Sequence, residues 1–133
     1  MSDGSNTRVL EAFQAAIGRG AWDDAAGLLT EDAVFHEAPS LPYGGDYRGA
    51  AGYRDLVDRC MALASFEFGS APRYHETSDG LVVMISEFTI RGSKTGRSAT
   101  TAFCEVYAFE AGRIADVLVF YFDEAAVVAA LVD

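Results

Sequence analysis

The hydrophobic pattern of this chain changes once, close to Ala64, from the spacing of helices to the spacing of strands. In the first segment, Val9, Phe13, Ala16 and Ile17 recur at the period of one helix face. After Ala64, apolar residues alternate with other residues or run without a break, which is typical of strands. Helices followed by strands predict an α+β fold, in which the helices cover one face of a sheet.

Three helices are predicted before the change in period. The first ends before Gly18, the second spans residues 21–29, and the third has Tyr53 on its apolar face. A short strand at 33–37 and a loop at 38–49 lie between the second and third helices, because the loop holds two prolines and three glycines. The glycines would allow this loop to move, so it is a candidate lid.

Strands separated by short connectors follow the third helix. The connectors are rich in Gly, Ser and Asp, which favour tight turns, and such turns join neighbouring strands into an antiparallel meander. Asp123 can cap a last helix over 124–131, since its carboxylate can accept from the free amides of the first turn. The four predicted strands are 66–77, 81–91, 98–110 and 113–122.

Strand 98–110 has two unlike faces. Its odd positions include Phe103, Glu105 and Tyr107, whereas its even positions are small and apolar, so we assign the odd positions to the inside. Strand 113–122 is apolar on both faces, which leaves its register open. The two possible inward sets are Leu118, Phe120 and Phe122 or Val117, Val119 and Tyr121.

Apolar residues on both faces of the last two strands also predict contact with a second copy of the chain. One face of these strands meets the helices, and the other face needs a cover. We expect a homodimer that is buried through the outer face of the sheet, including Cys104 or Val106.

The charge of the chain limits its partners. There are 20 Asp and Glu against 10 Lys and Arg, a formal net charge of -10, and such a surface repels nucleic acids and anionic membranes. The apolar runs are shorter than the about 20 residues of a spanning helix, and the first residues do not form a signal peptide. We therefore expect a cytoplasmic protein with one domain over 1–133. Cys60 and Cys104 have no Cys or His cluster around them, so neither a metal nor another cofactor is expected.

Two segments carry a resemblance to a known family. Residues 37–49 read Glu-Ala-Pro-Ser-Leu-Pro-Tyr-Gly-Gly-Asp-Tyr-Arg-Gly, and the last strand ends in Tyr-Phe-Asp at 121–123. With the order of elements, they resemble the SnoaL-like branch of the nuclear transport factor 2-like superfamily. The resemblance implies a cone-shaped, cystatin-like fold, with a curved antiparallel sheet packed on three N-terminal helices around one pocket. Ketosteroid isomerases, polyketide cyclases, limonene-epoxide-type hydrolases and non-catalytic proteins share this fold, so it does not specify one function.

Alignment with the ketosteroid isomerases implies two catalytic positions. Glu37 falls at their general-base aspartate, and Glu105 falls at their protonated oxyanion-hole aspartate. Phe13 stands where they keep an oxyanion-hole tyrosine, so steroid isomerase activity itself is not expected. The Arg and Asp residues of limonene-epoxide-type hydrolases are also absent from the matching positions.

Glu37 and Glu105 are thus the predicted catalytic pair. A carboxylate among aromatic residues loses solvation, so the pKa of Glu105 should rise, and the neutral acid can donate a hydrogen bond. Glu37 at the pocket mouth can act as a general base when it is ionised. Neighbours on a strand point to opposite faces, so only one of His36 and Glu37 points inward. His36 and His75 remain alternative bases.

These positions predict an enzyme that moves protons on a small hydrophobic, oxygenated molecule, polyketide-like or carbonyl-containing, as an isomerase or cyclase. Two alternatives remain: an epoxide-opening cyclase or hydrolase that uses the same carboxylates, and a ligand-binding module without turnover. The residues expected to contact the substrate are Phe13, Tyr53, Met84, Phe103, Tyr107 and Phe120.

Overall fold

The helices and strands follow the predicted order. The computed structural model describes residues 4–133. The predicted α+β arrangement is confirmed within these residues. The elements are α1 (Ser5–Gly18), α2 (Trp22–Ala26), β1 (Leu29–Glu37), β2 (Gly45–Arg48), α3 (Gly49–Leu63), β3 (Ala64–Phe68), β4 (Arg73–Glu76), β5 (Val82–Gly92), β6 (Ser98–Glu110), β7 (Arg113–Tyr121) and α4 (Glu124–Leu131).

The strands form one curved sheet in the order β2-β1-β7-β6-β5-β3, and β4 also pairs with β5. The strands β5, β6 and β7 are antiparallel neighbours, as the short turns between them require. The strand β1 instead runs parallel to β7, and one helix, α3, and the strands β2 to β6 separate them along the chain. The helix α3 contacts β1 and β2 at one edge of the sheet and β3 at the other edge.

The apolar stripes of the helices meet the sheet in one core. Leu10, Phe13 and Ala16 are spaced for one face of α1 and are almost inaccessible to solvent, as are Ile90 and Ile114 on the sheet. Burying one large apolar side chain contributes roughly 1.5 to 3 kcal/mol, so this core holds the helices over the sheet. None of the helices within residues 4–133 combines the length and the apolar character that crossing a membrane requires.

Three segments differ from the predicted elements. The second helix, predicted over 21–29, ends at Ala26, and β1 begins at Leu29 and not at residue 33. The predicted strand 66–77 is divided into β3 and β4 by residues 69–72, which include a proline that cannot donate to the strand ladder. The loop predicted at 38–49 contains β2, which pairs with β1. Leu41 and Tyr43 in the same loop are buried. The segment is therefore anchored in the core and does not have the free surface of a mobile lid.

The strand β7 has the register in which Val117, Val119 and Tyr121 face inward. Val117 is 1% exposed, whereas Phe120 is 53% exposed on the outer face. Pairing with β6 selects this register, because Glu105 faces Val119 across the two strands. The structure thus decides between the two inward sets that the sequence leaves open.

Candidate active site

A cavity of about 190 Å³, which we call the main cavity, lies between α3 and the inner face of the sheet. Among the described residues that line it, Glu37 and Glu105 are the carboxylates and none is Lys, Arg or His. An apolar cavity with a few polar groups is typical of a small-molecule site. The lining residues are Phe35, Glu37, Tyr53, Leu56, Val57, Cys60, Met61, Phe66, Phe68, Phe88, Phe103, Glu105, Tyr107, Val119 and Tyr121.

The strand register places Glu37 and Glu105 on opposite sides of Val119. His36 pairs with Leu118, so the next residue, Glu37, lies beside Val119, and Val119 pairs with Glu105. Neighbouring strands are roughly 4.8 Å apart, so about 10 Å separates the backbones of the two glutamates. Both side chains line the main cavity, which leaves room for a ligand between them.

Glu37, the last residue of β1, keeps its proton into the neutral pH range. Burial and the nearby charge of Glu105 raise the pKa of Glu37 to about 8. The hydroxyl of Tyr121 donates to Oε1 of Glu37 at 3.2 Å and partly opposes this rise in pKa. A general base is most effective when its pKa lies near the working pH. Glu37 therefore has the proton affinity of a base that works in neutral to mildly alkaline solution.

Glu105 lies in the middle of β6 among aromatic side chains. Burial raises the pKa of Glu105 above its ordinary value, and a hydrogen bond from Tyr107 only partly opposes the rise. The Tyr107 hydroxyl donates to Oε1 of Glu105 at 2.7 Å. The other oxygen of the protonated acid can then donate to a ligand in the main cavity. The direction of this pKa change agrees with the sequence prediction.

Two tyrosines connect Glu37 to the segment before β2. The hydroxyls of Tyr43 and Tyr121 lie 2.7 Å apart, and Tyr43 is only 1% exposed. The hydroxyl of Tyr47 donates to the Tyr43 carbonyl at 2.9 Å. Burial raises the pKa of both Tyr43 and Tyr121, so both remain neutral hydrogen-bonding groups. Tyr121 is thus held where its hydroxyl can orient the Glu37 carboxylate.

Five of the residues that the sequence analysis assigned to the site lie together. Glu37 and Glu105, the predicted catalytic pair, line the main cavity with Tyr53, Phe103 and Tyr107. Phe103, Glu105 and Tyr107 share a face because side chains alternate along β6. Their positions are those of a common binding site, and the catalytic roles of the two glutamates stay predictions.

Three residues that were expected to contact the substrate do not line the main cavity. Phe13 is buried behind Tyr53, with the ring centroids 5.2 Å apart, so the tyrosine separates it from the cavity. Met84 pairs with Glu105 as expected, but its side chain lines a neighbouring cavity next to α1. Phe120 lies on the outer face, because β7 takes the other of its two registers.

The two histidines are not placed to act as bases in the main cavity. His36 Nδ1 lies 2.7 Å from Asp46, and Nε2 lies 2.8 Å from Asp116, so this side chain joins β1 to β2 and β7. Burial alone would lower the pKa of His36, but hydrogen bonds to Asp116 and Asp46 raise it above its ordinary value. His75 is exposed on β4 and does not line the cavity.

Phe35, Cys60 and Tyr121 also line the main cavity, although the sequence analysis does not predict them as site residues. The inward position of Tyr121 depends on the register of β7, and the pairing of Tyr121 with Phe103 on β6 fixes that register. The helical spacing after Tyr53 predicts that Cys60 is buried, but not what it faces. Burial raises the pKa of Cys60 to about 12, so it is a neutral thiol. Across residues 4–133, no three His, Cys, Asp or Glu side chains are grouped in a way that could hold a metal ion.

Solved structures with a similar fold include proteins of the nuclear transport factor 2-like type. One such protein, from Burkholderia xenovorans LB400, has a TM-score of 0.90 and 20% identity, with 99% of each chain covered. A protein from Xanthomonas campestris pv. campestris, assigned provisionally as a polyketide cyclase, has a TM-score of 0.74 and 18% identity, with 96% of this chain and 97% of that chain covered. Another provisional polyketide cyclase, from Pseudomonas putida KT2440, has a TM-score of 0.72 and 15% identity, with 96% and 98% covered. The predicted nuclear transport factor 2-like fold is confirmed.

The family comparison covers most of the chain. No curated protein matches it. One family model, described as the SnoaL-like domain, matches residues 10–117. The matched region begins inside α1 and ends inside β7, so it contains Glu37, Glu105 and the helix α3 that covers them. The chain therefore belongs to the SnoaL-like domain family.

Proposed function

We propose that this protein is a cofactor-independent enzyme that moves a proton on a carbon next to a carbonyl group, as an isomerase or cyclase. The position of Glu37 and Glu105 in one apolar cavity carries this proposal. Each glutamate accepts a hydrogen bond from a tyrosine, and both pKa values are raised. The fold shared with two provisional polyketide cyclases supports the same class of reaction.

In the proposed step, the two carboxyl groups hold one proton between them. The ionised Glu37 removes the substrate proton, and Glu105 keeps the shared proton and donates a hydrogen bond to the carbonyl oxygen. The electrons of the C–H bond form a C=C bond, and the carbonyl oxygen becomes an enolate oxygen, which the neutral Glu105 stabilises. In a substrate with a C=C bond next to the carbon that loses its proton, the enolate is a dienolate. Glu37 can then return the proton to the far carbon of the dienolate, the C=C bond moves into conjugation with the restored carbonyl, and the isomerisation is complete. Alternatively, the enolate carbon attacks a second carbonyl carbon of the same molecule and closes a ring. The π electrons of that carbonyl move to its oxygen, which takes the proton from Glu37, and the enolate becomes a carbonyl group again.

The wall of the main cavity favours a neutral substrate. Its lining is mostly aromatic and aliphatic, so it suits an apolar body with a few oxygen atoms. A carboxylate or phosphate group would find no basic partner among the described lining residues, and it would be repelled by Glu37 once that residue is ionised. A small ketone of polyketide type satisfies these requirements.

Proton removal can be measured without the natural substrate. The ketone β-tetralone has an acidic C–H bond next to its carbonyl group and an apolar body of two fused rings. In deuterium oxide its α-proton NMR signal decays as deuterium replaces hydrogen. We expect the protein to accelerate this decay over buffer alone.

Variants of the two glutamates separate their roles in this exchange. Glu37→Gln should lose roughly a hundredfold or more of the acceleration, because an amide cannot accept the proton. Glu105→Gln should lose less, since an amide still donates a hydrogen bond to the enolate oxygen. Glu67→Gln is the matched control, because Glu67 is exposed on β3.

Two results would count against the proposal. A Glu37→Gln variant with the full rate would exclude Glu37 as the base. Bound β-tetralone whose exchange the wild-type protein does not accelerate would favour a binding module without turnover.

A further inference from the structure

A second cavity of about 130 Å³ lies next to the main cavity on the same face of the sheet. Phe68 and Phe103 contribute to the walls of both cavities. The proposed proton transfer uses no residue of the second cavity. Its other lining residues include Gln14, Ser70, Met84 and Ser86.

Ser86 and Gln14 bring polar groups with weak partners to the second cavity. Ser86 is 7% exposed, and its hydroxyl donates to the Ser70 carbonyl at 3.2 Å, which is long for such a bond. Gln14 Nε2 lies 2.8 Å from Met84 Sδ, and a thioether is a weak acceptor. The Tyr74 hydroxyl donates to Oε1 of Gln14 and holds the amide in this orientation. A ligand oxygen would be a better acceptor for the Gln14 amide than the sulfur is.

Phe68 is the part of the shared wall that can move. It is 65% exposed, so a rotation of its ring gives up little buried surface. Phe103 is 5% exposed, and its ring centroid lies 5.0 Å from that of Phe88, so packing fixes this side of the wall. Rotation of Phe68 would therefore open its side of the shared wall, while Phe103 stays in place.

The strand pairing sets the distance between the polar groups of the two cavities. Met84 pairs with Glu105, and Ser86 pairs with Phe103, so Ser86 is the diagonal neighbour of Glu105. Diagonal neighbours on one face of an antiparallel pair are roughly 7 to 8 Å apart. Two fused rings with oxygen atoms at opposite ends match this spacing.

We propose that the second cavity is a substrate subsite that binds a neutral hydroxyl or carbonyl group at the far end of an elongated ligand. Gln14 donates to this group, and Ser86 donates or accepts. The group is neutral because no charged side chain is among the described residues that line the second cavity. The inference rests on the proposed function, since that function holds the first oxygen of the ligand at Glu105.

Two naphthalene probes test the subsite. The first is β-naphthol, with one hydroxyl, and the second is the naphthalene diol with one hydroxyl on each ring at opposite ends. Calorimetry in mildly acidic buffer, where both phenols are neutral, gives their affinities. We expect the diol to bind about tenfold more tightly, because it adds hydrogen bonds at the far end.

Methionine methyl NMR signals show which cavity each probe fills. Met61 lines the main cavity and Met84 lines the second cavity, and their signals can be assigned through Met→Leu variants. Both probes should move the Met61 signal, and the diol should move the Met84 signal further than β-naphthol does.

Ser86→Ala should reduce the difference in affinity between the diol and β-naphthol but not abolish it, because Gln14 can still donate to the far hydroxyl. Ser98→Ala, at an exposed position on β6, is the matched control and should keep the difference. Phe68→Ala removes the movable part of the shared wall at an exposed position, so this variant should fold and should still bind the diol more tightly than β-naphthol.

The outcomes distinguish this inference from the proposed function. Equal affinities of the wild type for both probes, with the Met61 signal moved and the Met84 signal unchanged, would overturn the subsite and leave the main cavity as a binding site. A Met61 signal that neither probe moves would contradict the proposed function, and the inference with it.

Discussion

At the scale of single residues, Glu37 links the stability of the fold to pH. Its ordinary pKa is 4.5, and in the folded protein burial and the charge of Glu105 raise it to about 8. Between these values the folded state holds a proton that the unfolded state has released. The free energy of unfolding therefore falls as the pH rises from 4.5 to 8. His36 acts in the same direction, because its raised pKa gives stability below 6.5 that is lost as pH rises through the folded value.

Glu37→Gln should therefore stabilise the ligand-free protein in alkaline solution. Above the folded pKa of Glu37, the wild type has to bury a charge that the amide does not carry. We expect a gain of roughly 3 to 5 kcal/mol there and little change in mildly acidic solution. Urea unfolding at a series of pH values measures this difference. Glu67→Gln should follow the wild type, and an unchanged pH slope in Glu37→Gln would contradict the argument.

Tyr121→Phe should raise the pKa of Glu37 further. The Tyr121 hydroxyl stabilises the ionised carboxylate, so its loss favours the neutral acid. The pH midpoint of β-tetralone exchange should move upward by up to about one unit. Tyr74→Phe is the control, because its hydroxyl bonds to Gln14. A midpoint that stays or falls in Tyr121→Phe would show that Tyr121 does not position the base.

Part of the site could be predicted from the sequence. The rest depends on strand register and on which side chains stand between a residue and the cavity. Glu105 could be placed because its strand separates large residues from small ones on two faces. Phe120 could not, because its strand is apolar on both faces and only pairing with β6 sets the register. Phe13 was placed in the site because it aligns with the oxyanion-hole tyrosine of the ketosteroid isomerases, but Tyr53 stands between Phe13 and the main cavity.

At the scale of helices and strands, a residue of β4 holds the start of α1. The amide and the hydroxyl of Thr7 both donate to Oε1 of Glu76, each at 2.7 Å. The carboxylate also faces the positive end of the helix dipole. The acceptor lies 69 residues away along the chain, so a local sequence pattern cannot identify it.

Glu76→Ala should loosen α1 from the sheet. The Thr7 amide would lose its acceptor, which costs about 1 to 2 kcal/mol of unfolding free energy. Urea unfolding and hydrogen exchange of the Thr7 amide measure the two effects. Glu67→Ala, an exposed glutamate on β3, should change neither. A Thr7 amide that keeps its protection in Glu76→Ala would refute the role of Glu76 as a cap.

The sequence could not predict the strand β2, and it predicted β4 only as part of the longer strand 66–77. The strands β2 and β4 have four residues each, too few for an alternating pattern. They form because β1 and β5 offer backbone groups for pairing. Longer elements carry their own period, and β6 has the predicted bounds of 98–110.

At the scale of the whole molecule, the outer face of the sheet is apolar and open to solvent. Leu118 is 41% exposed, Phe120 53% and Phe122 90%. Phe120 and Phe122 line a groove on this face together with Cys104, which the sequence analysis placed in a homodimer interface. Neighbouring apolar side chains at this exposure usually mark an interaction surface. The homodimer therefore stays our prediction for this face.

Phe120→Lys should separate the dimer into monomers. A lysine there would place a charge in the middle of an apolar interface. Sedimentation at roughly tens of micromolar should show a dimer for the wild type and a monomer for the variant. Met61→Lys introduces the same charge at an exposed apolar residue near the main cavity and should remain dimeric. A wild-type monomer at these concentrations would rule out the interface.

The break between β3 and β4 gives the fold a place where its length can vary. Phe68 pairs with Phe88, and Arg73 pairs with Ile85, so each strand has its own register on β5. An insertion or deletion within residues 69–72 therefore shifts neither register. The same segment borders the second cavity through Ser70. Evolution or protein engineering could thus change the length of ligand that the fold accepts by altering residues 69–72 alone, without moving Glu37 or Glu105.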